Sequence, residues 1–190
     1  MNKMILTLGF ALMLISQAAA TSWPRGGSGS AQNDVLGNFN QLRGSSNWLD
    51  GSYNKINGNG NGVQGNGNGI WGNNNGVIGS GNGIWGTDNG IKGNGNNIWR
   101  SGNGVWGNGN GIQGFNNGVI GNANGVWGSS NGVVGNRNGI EGNFNGVVGS
   151  GNNVWGSANG VFGNGNNVQG HANGIQGSYN NVKGFGNNIW

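Results

Sequence analysis

From Ser30 to Trp190 the chain repeats one seven-residue phrase twenty-three times, with no insertion or deletion. The phrase is Gly-x-x-Asn-Gly-Val/Ile-x, as in Gly65-Asn66-Gly67-Asn68-Gly69-Ile70-Trp71. Place four is Asn in every copy, place six is Val, Ile or Leu in every copy, and place one is Gly except at Ser30 and Arg100. A fixed short period with no slippage decides architecture before any other property of a sequence does. It also changes the meaning of the composition. The 48 glycines in 190 residues would read as low-complexity disorder if they were scattered; placed in register, they are structural positions.

A heptad can mark a coiled coil, but that requires two apolar places per seven and good helix formers between them. Here one place is apolar and the intervening residues are Gly and Asn, which oppose helix at almost every step. Read as a strand followed by a turn, places four and six share one face and places five and seven the other. Asn and Val/Ile therefore point inward, while place five and the variable place seven point outward. Gly at place one, with small or polar residues at places two and three, supplies a tight turn at positive φ.

One heptad makes one strand and one turn, so two should close one coil of about fourteen residues. Place seven carries the same message. Even-numbered copies give Trp71, Trp85, Trp99, Trp127 and Trp155, separated by fourteen or twenty-eight residues; odd-numbered copies give Ile78, Ile120, Val134, Val148 and Phe162, with Trp106 and Trp190 as exceptions. A fourteen-residue coil sorts these onto two opposite faces, one aromatic and one mainly aliphatic. The expected fold is all-β: a β-solenoid, or β-roll, with inward Val/Ile and Asn ladders, the latter including Asn68, Asn82, Asn96, Asn110, Asn124 and Asn138. Eleven or twelve such coils would form a thin rod roughly 50–55 Å long. Two aliphatic side chains per coil cannot offset the entropy of fixing fourteen backbones. Strand pairing between coils, aromatic contacts along the rod and amide bonds along the Asn columns must supply the rest.

The flanks fit the same plan. Met1-Asn2-Lys3, the apolar run Met4 to Ile15 and Ala18-Ala19-Ala20 read as a secretory signal peptide over residues 1–20. That apolar run is too short for a permanent membrane anchor, and no later segment approaches the needed length. Residues 21–29, with Pro24 and a Gly-Gly-Ser-Gly run, read as a linker. Copies spanning 30–57 keep Asn and the aliphatic residue but place Asp34, Gln41, Trp48 and Lys55 at place five, as atypical capping repeats would. Regular repeats occupy 58–190. They stop in mid-pattern at Trp190, and an uncapped end of that kind would invite end-to-end self-association.

The chemistry of the side chains narrows the function. Only 6% of residues are charged. Beyond Lys3 there are seven basic and four acidic side chains, a net of +3, too dispersed for the basic stripe that nucleic acid requires. There is no cysteine, His171 is the single histidine, and Asp34, Asp50, Asp88 and Glu141 do not fall where the heptad would pair them. No enzyme, metal or other cofactor is expected. Calcium-binding β-rolls also use short Gly-rich repeats, but Asn or Gly stands here where their ligand Asp would be.

The motif x-x-Asn-x-Val-x-Gly, seen in Asn68-Gly69-Ile70-Trp71-Gly72 and Asn131-Gly132-Val133-Val134-Gly135, resembles the heptad of the ice-recrystallisation-inhibiting antifreeze proteins of ryegrass and related grasses. The likeness spans Ser30 to Trp190. It implies a left-handed β-roll with inward Val and Asn columns, and adsorption to ice through one flat outer sheet. Here that face would be the aliphatic one, Ile78, Ile120, Val134, Val148 and Phe162. Two other secreted roles fit the residues: a self-associating extracellular structural or matrix protein, and a solenoid that binds an extracellular polysaccharide through Trp71, Trp85, Trp99, Trp127 and Trp155.

Overall fold

The computed structural model describes residues 32–190. The segments read as a signal peptide and a linker, 1–29, and the first two residues of the first repeat lie outside the described residues. Twenty-three short strands, from β1 (Asp34–Leu36) to β23 (Asn188–Ile189), follow one another with a turn between each pair, and no helix is present among the described residues. Every strand pairs in parallel with the next but one. The odd-numbered strands make a 12-stranded sheet and the even-numbered strands an 11-stranded sheet. The register is a constant fourteen residues: Val119 lies opposite Val133, which lies opposite Val147. The fold is a parallel β-solenoid with two heptads per turn, as the period predicts.

Inward and outward places also fall as expected. Every place-six residue from Leu49 to Val182 is buried in one continuous column, with Leu42 and Ile189 partly buried against its ends. Val35, in the first strand, is 43% exposed because no preceding coil covers it. Copies 30–57 join the stack in the same register as the rest.

Each Asn from Asn47 to Asn173 is buried beside the aliphatic column, and its amide is saturated. Asn110 shows the pattern. Its Nδ2 donates to Asn96 Oδ1 at 3.0 Å and to the Gly121 carbonyl at 2.8 Å. Its Oδ1 accepts from the backbone N–H of Asn124 at 2.9 Å and from Asn124 Nδ2 at 3.1 Å. Two donors and two lone pairs are thus all used, the full capacity of a primary amide. The column is more than a side-chain ladder, because the place-four backbone N–H has no strand partner and finds its acceptor in the Asn of the preceding coil. Leaving that buried donor unpaired would be costly.

The turns differ from the expectation in one respect. Positive φ occurs at two places per heptad, not at place one alone. Place three sits in the left-handed region even where it is Phe39, Tyr53, Arg137 or Phe144, all near φ 58–60 or just below. Place one needs Gly for a further reason. A Cβ on Gly121 would overlap the carbonyl oxygen of Gly135 in the next coil, and that carbonyl is the one that accepts Asn124 Nδ2 at 2.9 Å. Close coil stacking and a saturated amide ladder therefore demand the same missing side chain. Arg100, the exception, adopts φ 86, and its carbonyl still accepts Asn89 Nδ2 at 3.0 Å.

A second ladder runs along the surface at place two. The backbone N–H of Asn94 donates to Asn108 Oδ1, that of Asn108 to Asn122 Oδ1, and that of Asn122 to Asn136 Oδ1, each at 2.8–2.9 Å. On the turns that precede the even strands this column continues without a break from Asn38 to Ser178, using Ser hydroxyls or Asn amides. Its polarity is opposite to that of the buried column: here the acceptor belongs to the following coil.

Candidate functional site

With places four and six committed to the core, and places one to three to the turns, only places five and seven remain to meet a partner. The two sheets display them on separate faces. Strands of three residues between fixed turns leave the outward side chains no freedom of register, so each face is a row of groups spaced by the inter-strand distance, about 4.8 Å.

On the odd sheet, Trp106, Ile120, Val134, Val148 and Phe162 lie opposite one another on five successive strands. Ile120, Val134 and Val148 are half-buried, whereas Trp106 and Phe162 are 55% and 57% exposed. Beside the aliphatic three runs a row of glycines, of which Gly118 and Gly132 are buried and Gly146 partly buried. Without side chains there, nothing rises above the methyl groups on that flank. Ile78 is on the same face but apart from this strip. Lys92 and Trp106 lie between it and Ile120, and the Lys92 ammonium sits 4.7 Å from the centroid of the Trp106 ring. The structure thus brings together four of the five aliphatic-face residues and isolates Ile78.

The even sheet carries Trp71, Trp85, Trp99, Trp127 and Trp155, in two different arrangements. Trp71 and Trp85 stack with ring centroids 4.9 Å apart and planes 3° from parallel; Trp85 and Trp99 stack at 5.9 Å and 17°. Lys55 Nζ lies 5.5 Å from the Trp71 ring. Trp85 therefore has an aromatic neighbour on each side, an arrangement that satisfies the rings by themselves. Trp127 and Trp155 stack on no other ring among the described residues. An open groove beyond Trp85 and Trp99 is lined also by Arg100, Gln113 and Phe115, with the Arg100 guanidinium 5.6 Å from the Phe115 ring.

His171, the single histidine, has a structural role. It stands at place two, where its Nδ1 accepts the Ser157 backbone N–H at 3.1 Å, taking the part that Asn or Ser plays elsewhere in the surface ladder. The one sign of that ladder in the sequence is the recurrence of Asn and Ser at place two at fourteen-residue intervals, as at Asn94, Asn108, Asn122 and Asn136. Among the described residues no three His, Asp or Glu side chains come together as a metal site would require, and no helix is long and apolar enough to cross a membrane. No family model matches the chain, and no curated protein matches it in sequence.

Proposed function

We propose that this chain is a secreted ice-binding protein that adsorbs to ice through the odd sheet and so inhibits recrystallisation. The observation that carries the reading is the uncharged strip Ile120, Val134 and Val148, in register on three neighbouring strands beside a glycine row. An ice surface is a fixed lattice. A protein that adsorbs to it must hold many weak contacts at constant spacing on a surface that does not rearrange, which places a premium on preorganisation. The saturated amide ladder supplies that rigidity, and methyl groups flanked by bare backbone supply a flat, weakly hydrated array. An apolar surface of this kind, left uncovered, is a binding surface. The heptad's likeness to that of the grass antifreeze proteins, and the signal-peptide pattern of residues 1–20, point the same way. The partner is ice; neither a nucleic acid nor a permanent membrane anchor enters the proposal.

The test is recrystallisation inhibition by the purified chain from Thr21 to Trp190, with sedimentation of the same sample before freezing. A monomeric sample should inhibit. Val134→Asp, which adds a charge to the strip without touching the core, should raise the lowest inhibiting concentration about tenfold or more, as expected for desolvating one unpaired polar group. Trp85→Ala should leave it unchanged. Absence of inhibition, together with growth into long particles as concentration rises, would instead identify the rod as an extracellular building material.

A further inference from the structure

From the last of the stacked tryptophans onward, the even sheet has a regularity that neither the fold nor ice adsorption explains. From β10 (Asn97–Trp99) to β20 (Asn167–His171) the place-seven residues are Trp99, Gln113, Trp127, Glu141, Trp155 and Gln169, opposite one another strand by strand. Large rings alternate with amide or carboxylate side chains. The period is two strands, so the rings recur about every 9.5 Å along the rod axis. That distance is beyond the 4.5–7 Å, roughly, over which aromatic side chains pair. These three rings are therefore spaced too widely to pair with one another. Trp99 keeps its stack with Trp85 on one side and is 46% exposed, while Trp127 and Trp155, with no ring partner among the described residues, are 53% and 43% exposed.

Their setting holds them in place. The six-membered part of the Trp127 indole lies over Gly125, where a Cβ would come within 2.9 Å of Cζ3. The missing side chain at Gly125 makes room for that edge of the ring, as Gly69 does for Trp71. Asn97 and Asn153, both exposed, stand on the same strands as Trp99 and Trp155. None of the twelve residues at places five and seven of these six strands is a cation, and Glu141 is the one charge among them.

We propose that this strip binds a neutral, β-1,4-linked polysaccharide extended along the rod axis. In such a chain each pyranose is turned over relative to the one before, so every second ring presents the same face. One sugar advances the chain by a length close to one inter-strand step. A tryptophan on every second strand therefore meets the apolar C–H face of every second sugar, while Gln113, Glu141 and Gln169 meet the hydroxyl edges of the sugars between. A polyanionic glycan or a nucleic acid would set its charges against Glu141, and Arg100, which borders the strip at its Trp99 end beside the Phe115 ring, is a single cation at one end and too little to answer a run of anions along it. Trp71 and Trp85 lie outside the strip: with Trp99 they occupy consecutive strands of the sheet and stack ring on ring, which leaves no polar side chain between them for the intervening sugars. This site is on the sheet opposite the proposed ice face and stands or falls separately.

The test uses tryptophan fluorescence titration of the chain from Thr21 to Trp190 with cellohexaose and chitohexaose, and with maltohexaose as the control whose α-linkages coil the chain. Saturable binding of either β-linked hexasaccharide, with none of maltohexaose, is expected. Trp127→Ala should weaken it about tenfold, and Trp85→Ala should not. Gln113→Trp provides the sharpest result: it adds an aromatic ring but closes the gap between Trp99 and Trp127, and it should weaken binding with circular dichroism unchanged. Failure of both β-linked sugars to bind, equal binding of maltohexaose, an undiminished affinity in Trp127→Ala, or tighter binding by Gln113→Trp would each overturn the proposal.

Discussion

Asn110 and Asn108 allow the two ladders to be compared within one turn of chain. Both are asparagines near the middle of the rod, and both receive a backbone N–H and an Nδ2 from one neighbour while donating Nδ2 to another. They differ in burial: Asn110 is 1% exposed, whereas Asn108 lies on the surface. Replacing Asn110 by Ala orphans the buried Asn124 backbone N–H and withdraws the donor from the half-buried Gly121 carbonyl. One buried and one half-buried unsatisfied group, at roughly 1–3 kcal/mol each, give a loss of about 4 kcal/mol. Replacing Asn108 by Ala breaks a similar set of bonds where solvent can remake them, and should cost less than about 1 kcal/mol. Urea melts followed by circular dichroism read the difference. With an m-value near 2 kcal/mol/M, the Asn110→Ala midpoint should fall by about 2 M and the Asn108→Ala midpoint by under about 0.5 M. Equal shifts would refute the claim that burial of the inner column, rather than its bond count, is what stabilises the rod.

Two further pairs probe the turns and the faces. Gly121→Ala, which drives a methyl into the Gly135 carbonyl, should lower the urea midpoint far more than Gly109→Ala, which meets nothing within 4 Å and costs only the left-handed strain at φ 63, about 1–2 kcal/mol. Comparable midpoints would remove the coil-contact reason for glycine at place one. Val133→Asp buries an unpaired charge in the aliphatic column and should abolish the β-type circular dichroism, whereas Val134→Asp, pointing outward, should preserve it. Loss of the spectrum in both would reverse the inward and outward assignment.

Much of this fold is written in the period itself. An aliphatic residue and an Asn two places apart in every copy can share one face only in an extended strand, and Trp at fourteen-residue intervals can align only if two heptads close a turn. Place two was harder to read. Its Asn and Ser residues look like ordinary turn formers, and nothing local reveals that they accept N–H groups from a coil fourteen residues away. Place three was obscured because Phe39, Tyr53 and Phe144 are poor candidates for left-handed backbone; stacking of the turns overrides their preference. The outer faces were legible as to side and illegible as to grouping. Ile78 shares a face with Ile120, but Lys92 and Trp106 fall between them, and the tryptophans divide into a stacked trio and a spaced series only once neighbours are counted strand by strand.

The constant register has a consequence for how such a gene can lengthen. Duplicating or deleting one heptad would leave every Asn and Val in its column, so the product would fold, but all downstream outward residues would exchange sheets. Only a change of fourteen codons, or a multiple of it, keeps both surfaces intact, and only a multiple of twenty-eight preserves the alternation of Trp99, Trp127 and Trp155 with their polar neighbours. Replication slippage is thus filtered twice, first by folding at seven and then by function at fourteen or twenty-eight, and the outer faces are the more easily scrambled inheritance.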